Sequence, residues 1–195
     1  MRLLKLSTLT LFSLLILMSC GTKENKESGA PAASAPDGEV IYTAPNGWVA
    51  QTPGSSFRKA EYALPGMDGK DAADLGVFFF PGTGGSVQDN LERWYGQIKQ
   101  PDGSSTSAKA EIKKISVGSL PVTMVYVTGT YMKSSSGMMM GGPVDELPGY
   151  AMLAAIVETA NGPWFFKITG PQETVDYWRP TFGKFVNTFR IKKTS

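Results

Sequence analysis

The sequence predicts an α+β fold, with a largely antiparallel sheet of about six strands flanked by two main helices. Short runs rich in β-branched and aromatic residues recur along the chain and predict strands. In the second half these runs are joined by short connections, which favour an antiparallel meander. Two other segments repeat apolar residues at intervals of three and four, the spacing of a helix with one buried face.

The predicted strands differ in how continuously apolar they are. The run at 75–80 is apolar almost throughout, which predicts a central strand buried on both faces. Segments 101–107 and 133–149 are polar or rich in Ser and Gly, and they predict loops. The strands are predicted at 47–51, 57–64, 75–80, 110–117, 122–132, 150–158 and 164–169.

The first predicted helix begins after Ser86, whose hydroxyl can cap it. Asp89 follows three residues later, the spacing of a capping box. Its buried stripe is predicted to consist of Val87, Leu91, Trp94 and Ile98.

The second predicted helix follows Pro171, a residue that suits a first helical turn because its missing N–H needs no partner there. Pro180 lies inside the helix and is predicted to kink it or divide it in two. The apolar stripe predicts a core helix lying on the sheet, with an aromatic binding groove as the alternative. That stripe is Val175, Trp178, Phe182, Phe185 and Phe189.

The first 20 residues have the pattern of an export signal. Arg2 and Lys5 precede an apolar run that is short for a membrane-spanning helix. The run ends at 17–20 with Leu-Met-Ser-Cys, which resembles the lipobox of bacterial lipoprotein precursors. The resemblance implies a diacylglyceryl group on the Cys20 thiol, cleavage before Cys20, and an acyl chain such as palmitate on the new amino group. The alternative is a secretory signal with an incidental cysteine.

These features divide the chain into three predicted parts. Residues 1–19 form a lipoprotein signal peptide, 20–38 a disordered tether, and 39–195 a single globular domain. The resemblance places the protein in the bacterial cell envelope. An Asp directly after the lipidated cysteine acts as an inner-membrane retention signal in such proteins. Residue 21 is Gly, so the resemblance favours the outer membrane over the inner membrane.

The charge balance gives no reason to expect a nucleic-acid partner. The whole chain has 19 Lys and Arg against 17 Asp and Glu. Loss of residues 1–19 removes Arg2 and Lys5 and leaves 17 of each sign. A neutral chain has no global positive field to attract a polyanion. The predicted membrane contact is therefore made through lipid on Cys20.

No catalytic constellation is recognisable in the sequence. The chain contains no histidine, which excludes Ser–His and Cys–His nucleophiles and imidazole metal sites. The glycine-rich turn at 82–87 lacks the last Gly of a dinucleotide fingerprint and the Gly-Lys-Ser/Thr of a P-loop. The sequence therefore predicts a protein that is not an enzyme and has no cofactor. A hydrolase that uses carboxylates is the alternative class.

One candidate binding site lies on the first helix. Asn90, Arg93 and Trp94 share this helix beside the glycine-rich turn, and together they can form a recognition patch. The alternative is a core tryptophan with a surface ion pair between Asp89 and Arg93.

A second candidate site is a segment rich in methionine. Met132, Met138, Met139 and Met140 lie in or beside a Ser/Gly segment, and thioethers are soft ligands that select Cu(I). The alternative is that these methionines pack against the sheet or a partner.

Two stretches of the domain carry a wider resemblance. The first contains GWVAQTPGSSFRKAEYALP, FFFPGTGG and DNLERWYGQIK, and the second contains YAMLAAI, WFFKITGP and the terminal aromatic helix. Together they cover about 39–190 and resemble bacterial envelope proteins and the PsbP-like α-β-α sandwich group. PsbP proteins assist photosystem assembly, but no residue carries that role over. The resemblance implies a sandwich fold and an accessory or binding module.

The leading hypothesis is therefore a non-enzymatic, lipid-anchored module of the cell envelope that binds another protein. The alternative is a protein that binds Cu(I) through its Met-rich loop, or a small molecule.

Overall fold

The computed structural model describes residues 36–82, 84–134 and 143–192. Within these ranges the chain forms ten strands and three helices, all in one compact unit. The helices are α1 (Val87–Tyr95), α2 (Thr106–Lys109) and α3 (Gln172–Val186). The strands are β1 (Glu39–Ile41), β2 (Val49–Gln51), β3 (Arg58–Leu64), β4 (Ala73–Phe79), β5 (Ile98–Lys99), β6 (Glu111–Val117), β7 (Leu120–Ser134), β8 (Val144–Val157), β9 (Trp164–Pro171) and β10 (Arg190–Lys192).

Eight of these strands form one antiparallel sheet. Its order is β2-β3-β4-β9-β8-β7, and both β5 and β6 pair with the outer edge of β7. The mixed α+β architecture and the antiparallel pairing are as the sequence predicts. The prediction of about six strands is too low, and α2 is a third, short helix.

A separate two-stranded piece joins the two ends of the described domain. β1 pairs antiparallel with β10, and Val40 at its centre is buried. Tyr42, just beyond β1, packs edge-on against Phe166 of the main sheet at 5.1 Å between ring centroids. The sequence predicts neither of these three-residue strands.

Helix α3 covers one face of the sheet, here called the first face. The five side chains of its predicted apolar stripe are all buried, so the stripe forms core. Phe185 packs against Phe166 of β9 with 5.7 Å between ring centroids. Burial of each such ring stabilises the fold by about 1.5–3 kcal/mol.

Pro180 lies inside α3 and does not divide it, so the predicted division is wrong, while the kink stays a prediction. The proline ring is exposed to solvent. The carbonyl group that loses its N–H partner can therefore be hydrated. Trp178 and Phe182 are buried on either side of the proline and hold both halves of the helix to the sheet.

Helix α1 packs on the opposite, second face. Its predicted capping box is confirmed: Ser86 accepts from the Asp89 N–H at 3.1 Å, and Asp89 accepts from the Ser86 N–H at 3.1 Å. Leu91 and Trp94 are buried against second-face residues, which include Phe165 of β9. With only 9 residues, α1 covers less of the sheet than α3, which has 15.

The strand that is buried on both faces is β8. All seven residues from Ala151 to Val157 are buried. The prediction that 75–80 is such a strand holds only for its first half: Leu75, Gly76 and Val77 are buried, whereas the phenylalanines at 78–80 are only partly buried. The second face of β4 therefore borders a region that α1 leaves uncovered.

Strands β7 and β8 extend further than the sequence predicts. β7 continues to Ser134 and β8 begins at Val144, within the segment predicted as a loop at 133–149. The segment predicted as a loop at 101–107 includes the start of α2. None of the helices within 36–82, 84–134 and 143–192 is both long and apolar enough to span a membrane.

Candidate functional site

The uncovered part of the second face contains a small pocket. Its walls come from β3, β4, β7, β8 and β9, and its volume is about 210 Å³. We call it the Lys167 pocket, after the residue at its centre. Besides Lys167, its walls include Arg58, Asp74, Phe78, Tyr131 and Tyr150.

The floor around Lys167 is formed by small residues. In the sheet register, Lys167 of β9 lies opposite Gly76 on β4 and Ala154 on β8. A Cβ atom added to Gly76 would lie 2.7 Å from Cε2 of Phe78 and 3.8 Å from Cζ of Arg58. The absence of a side chain at Gly76 therefore keeps this part of the pocket open.

The ammonium group of Lys167 lies among polar and aromatic neighbours. It donates a hydrogen bond to Oε1 of Gln97, the second residue after α1. Its Nζ atom is 5.7 Å from the ring centroid of Trp94 and 5.8 Å from that of Tyr131, within cation–π distance. Burial, followed by the positive charges of Arg93 and Arg58, lowers the pKa of Lys167 to about 7.

The charged groups on β3 and β4 form the opposite wall. Arg58 is ion-paired with Glu61, and its Cζ atom lies 5.4 Å from the ring centroid of Phe78. Burial, followed by the nearby Glu61 carboxylate, raises the pKa of Asp74. The positive charges of Arg58 and Lys133 oppose this shift. The pocket therefore combines an excess of cations with one partly desolvated carboxyl group.

Aromatic rings surround this polar centre on two sides. Tyr131 and Tyr150 are nearly parallel, with 6.2 Å between ring centroids and an interplanar angle of 10°. On the β4 side, Phe80 stacks with both Phe78 and Phe57 at 6.4 and 6.5 Å. We call these three rings the phenylalanine row. Phe57, at its outer end, is 54% exposed.

The structure places the predicted patch of Asn90, Arg93 and Trp94 beside this pocket. Asn90 is fully buried and donates to the carbonyl oxygens of Gly84 and Ser86, at 2.7 Å each. Trp94 is buried against Phe165, and Arg93 is exposed and donates to Oδ1 of Asn90. Asn90 thus fixes the loop and Trp94 packs in the core. The positive charge of Arg93 helps to lower the pKa of Lys167. Binding by this group stays a prediction.

The other predicted sites fall mostly outside the described residues. Cys20 and the methionines at 138, 139 and 140 lie outside them. Met132 lies on β7, where it is partly buried and its N–H donates to the Gln97 carbonyl oxygen at 2.9 Å. Within the described ranges, no group of three or more His, Cys, Asp or Glu side chains is placed to hold a metal ion.

Sequence reasoning missed Lys167, although the sequence carries a signal for it. Lys167 is the one charged residue in the apolar strand Trp164–Pro171. A lysine within a strand that is otherwise buried requires polar neighbours or a route to solvent. The open floor at Gly76 and Ala154 depends on the pairing of three strands, and it could not be inferred without the sheet register.

Comparisons with known proteins give structural neighbours but no family. No family model matches the chain, and no curated protein matches it either. One solved structure with a similar fold is PA94 from Pseudomonas aeruginosa, a protein of unknown function. It has 9% sequence identity and a TM-score of 0.48, over 75% of this chain and 99% of that one. Another is cyanobacterial PsbP (CyanoP) from Synechocystis sp. PCC 6803. It has 11% identity and a TM-score of 0.44, over 78% of this chain and 86% of that one.

Proposed function

We propose that this protein is a non-enzymatic binding module of the bacterial cell envelope, anchored by lipid on Cys20. It binds through the open part of the second sheet face. The observation that carries the proposal is the Lys167 pocket beside the phenylalanine row. Partly desolvated charges meet there with a row of rings that is partly buried at Phe78 and Phe80 and exposed at Phe57, on a face that α1 leaves uncovered.

The exposed end of the phenylalanine row supports a binding role. Phe57 stacks on Phe80 at 6.5 Å, yet more than half of its surface is exposed to solvent. An aromatic side chain that bridges the core and the surface offers a large apolar contact area to a ligand or partner. The non-enzymatic part of the proposal rests on the sequence, which has no histidine.

Site-specific photo-crosslinking in intact envelopes tests which face is used. A photoreactive phenylalanine analogue replaces Phe57 in one variant. In the control variant it replaces Tyr177, which is 50% exposed on α3 at the first face. We expect covalent adducts from position 57 and none from position 177. Adducts from position 177 alone would place the binding surface on the first face.

The same experiment separates a protein partner from a small ligand. A protein partner would appear as an adduct of higher mass on a gel. A small ligand would appear as a mass increment on the intact protein. If position 57 gives neither product under conditions in which the analogue is activated, the proposed binding face is wrong.

The lipid anchor requires its own test. Growth with a clickable palmitate analogue is expected to label the wild-type protein and to leave a Cys20→Ser variant unlabelled. The variant is also expected to keep residues 1–19, since the resemblance implies that cleavage follows lipidation of Cys20. Equal labelling of both proteins would exclude lipid attachment at this cysteine.

A further inference from the structure

We propose that the Lys167 pocket binds a small organic monoanion, consisting of a carboxylate joined to a flat apolar group. The inference rests on the proposed function, because it names the ligand class of the same face. Three features of the pocket carry it: an unneutralised cation, a nearby carboxyl group that opposes higher negative charge, and aromatic walls around a small space.

The first feature is the charge state of the pocket centre. An ammonium group has three N–H donors, and one of those of Lys167 is directed to Gln97. In the described part of the chain, no carboxylate forms an ion pair with Lys167. A partly desolvated cation is costly unless an anion accompanies it. A bound carboxylate would supply that anion and would accept hydrogen bonds from the remaining N–H groups of Lys167.

The surroundings of Lys167 strengthen this preference for an anion. Arg58 and Arg93 both act on Lys167 with charge of the same sign. Arg58 is itself ion-paired with Glu61, so the acid on β3 is already engaged. A ligand carboxylate relieves the repulsion among these cations, and no rearrangement of the Arg58–Glu61 pair is needed.

The second feature limits the ligand to a single negative charge. Asp74 lies in the same pocket, and its raised pKa reflects burial and the proximity of Glu61. A dianion such as sulfate would face additional repulsion from these carboxyl groups. A monoanion placed against Lys167 avoids most of that cost.

The third feature sets the shape of the remainder of the ligand. Tyr131 of β7 and Tyr150 of β8 form a stacked pair on one side of Lys167. Phe78 of β4 lies on the other side, because β9 runs between β4 and β8. Between them, Gly76 and Ala154 leave the floor without large side chains. The volume of about 210 Å³ corresponds to roughly seven water molecules at about 30 Å³ each. One aromatic ring with a carboxylate fits this space.

Isothermal titration calorimetry on the full chain at pH 6.5 tests the proposal with defined probes. Benzoate and phenylacetate represent free acids, and N-acetylphenylalanine represents the C-terminus of a peptide. Benzamide has the shape of benzoate without its charge, and inorganic phosphate is an anion without a ring. We expect saturable binding of at least one carboxylate probe, and at least tenfold weaker binding of benzamide and of phosphate.

Two variants act on different features of the site. Lys167→Met removes the cation and is expected to weaken carboxylate binding at least tenfold. Gly76→Leu keeps every charge and fills the floor, and it is expected to block binding to a similar extent. Lys114→Met is the matched control, since Lys114 is an exposed strand lysine on β6, outside the pocket. It is expected to bind as the wild type does.

The outcomes separate this inference from the proposed function. Binding of benzoate or phenylacetate alone assigns the site to free acids, and binding of N-acetylphenylalanine assigns it also to chain termini. Failure of all three carboxylates, equal binding of benzamide, or unchanged binding by both pocket variants would overturn the inference. Crosslinked adducts at position 57 would then still support the binding face. If either variant fails to fold, as judged by circular dichroism, the other variant and the benzamide comparison decide the question.

Discussion

Lys167 at the centre of the sheet donates a hydrogen bond to Gln97, the second residue after α1. This bond ties the middle of β9 to the element that covers the second face. The lysine makes the tie with a group whose pKa lies near 7, far below the ordinary value of 10.5. The charge of one side chain therefore influences both the stability of the fold and the binding properties of the pocket.

The first prediction concerns the dependence of stability on pH. Because the folded pKa of Lys167 is about 7 and the unfolded value is near 10.5, the unfolded chain binds more protons between these limits. The free energy of unfolding is therefore expected to rise with pH from about 7 toward 10. Below pH 7 the folded protein carries the charged lysine and its full desolvation cost. Lys167→Met removes this contribution and should stabilise the protein more at pH 6 than at pH 9.

Urea unfolding at pH 6, 7.5 and 9 measures this effect, with Lys114→Met as the control. The groups that face Lys167 across the pocket are Arg58, Asp74, Arg93, Tyr131, Lys133 and Tyr150. Since the chain contains no histidine, no other side chain of ordinary pKa titrates near 7. A Lys167→Met protein with the same pH dependence as the wild type would show that the lysine is not titrating in this range.

The second prediction concerns the dependence of ligand binding on pH. If only the ammonium form of Lys167 binds benzoate, the affinity follows the charged fraction of the free protein. With a pKa of about 7, this fraction falls by up to about 100-fold between pH 6 and pH 9. Calorimetry across this range should show the loss in the wild type and in Lys114→Met. An affinity that stays constant to pH 9 would mean that another group holds the carboxylate.

The third prediction concerns the buried amide of Asn90. Its Nδ2 group donates to the carbonyl oxygens of Gly84 and Ser86, and the side chain is fully buried. Asn90→Leu leaves these carbonyl groups without their amide partner, and should lower the free energy of unfolding by about 2–3 kcal/mol. Chemical denaturation measures the change. Gln88→Leu, on the exposed side of α1, is the control, with an expected change below about 0.5 kcal/mol.

Asn90 also illustrates how far the sequence could lead. Its helix, the cap at Ser86 and the buried stripe are set by local spacing, so they could be predicted without tertiary information. The direction and burial of the Asn90 amide depend on the path of the loop before the helix. Sequence spacing places Asn90 beside Trp94 but does not distinguish a loop anchor from a ligand contact.

The missed strands have a different cause. β1 and β10 have three residues each and are about 150 positions apart, so neither carries a periodic pattern of its own. The pocket could not be predicted for a related reason, because its residues come from separate strands. Lys167 is visible in the sequence as a charge within an apolar strand, whereas Gly76 and Ala154 become its neighbours only through pairing with β4 and β8.

The last prediction separates backbone strain from close packing at a glycine. Gly47 has φ +91°, and a Cβ atom there would lie 2.9 Å from Cη2 of Trp178, whose Nε1 donates to the Pro65 carbonyl oxygen at 2.9 Å. Gly69 has φ +78° but no atom within 4 Å of the same position, so it is the matched control. Gly69→Ala should cost about 1–2 kcal/mol from backbone strain alone. Gly47→Ala should cost about 1–3 kcal/mol more, because the indole must shift and strain its hydrogen bond.

Thermal and urea unfolding of both variants measure the difference, and the fluorescence of the four tryptophans reports on displacement of the indole. Equal losses in the two variants would show that Trp178 yields without cost, and that the glycine is required only for its backbone conformation.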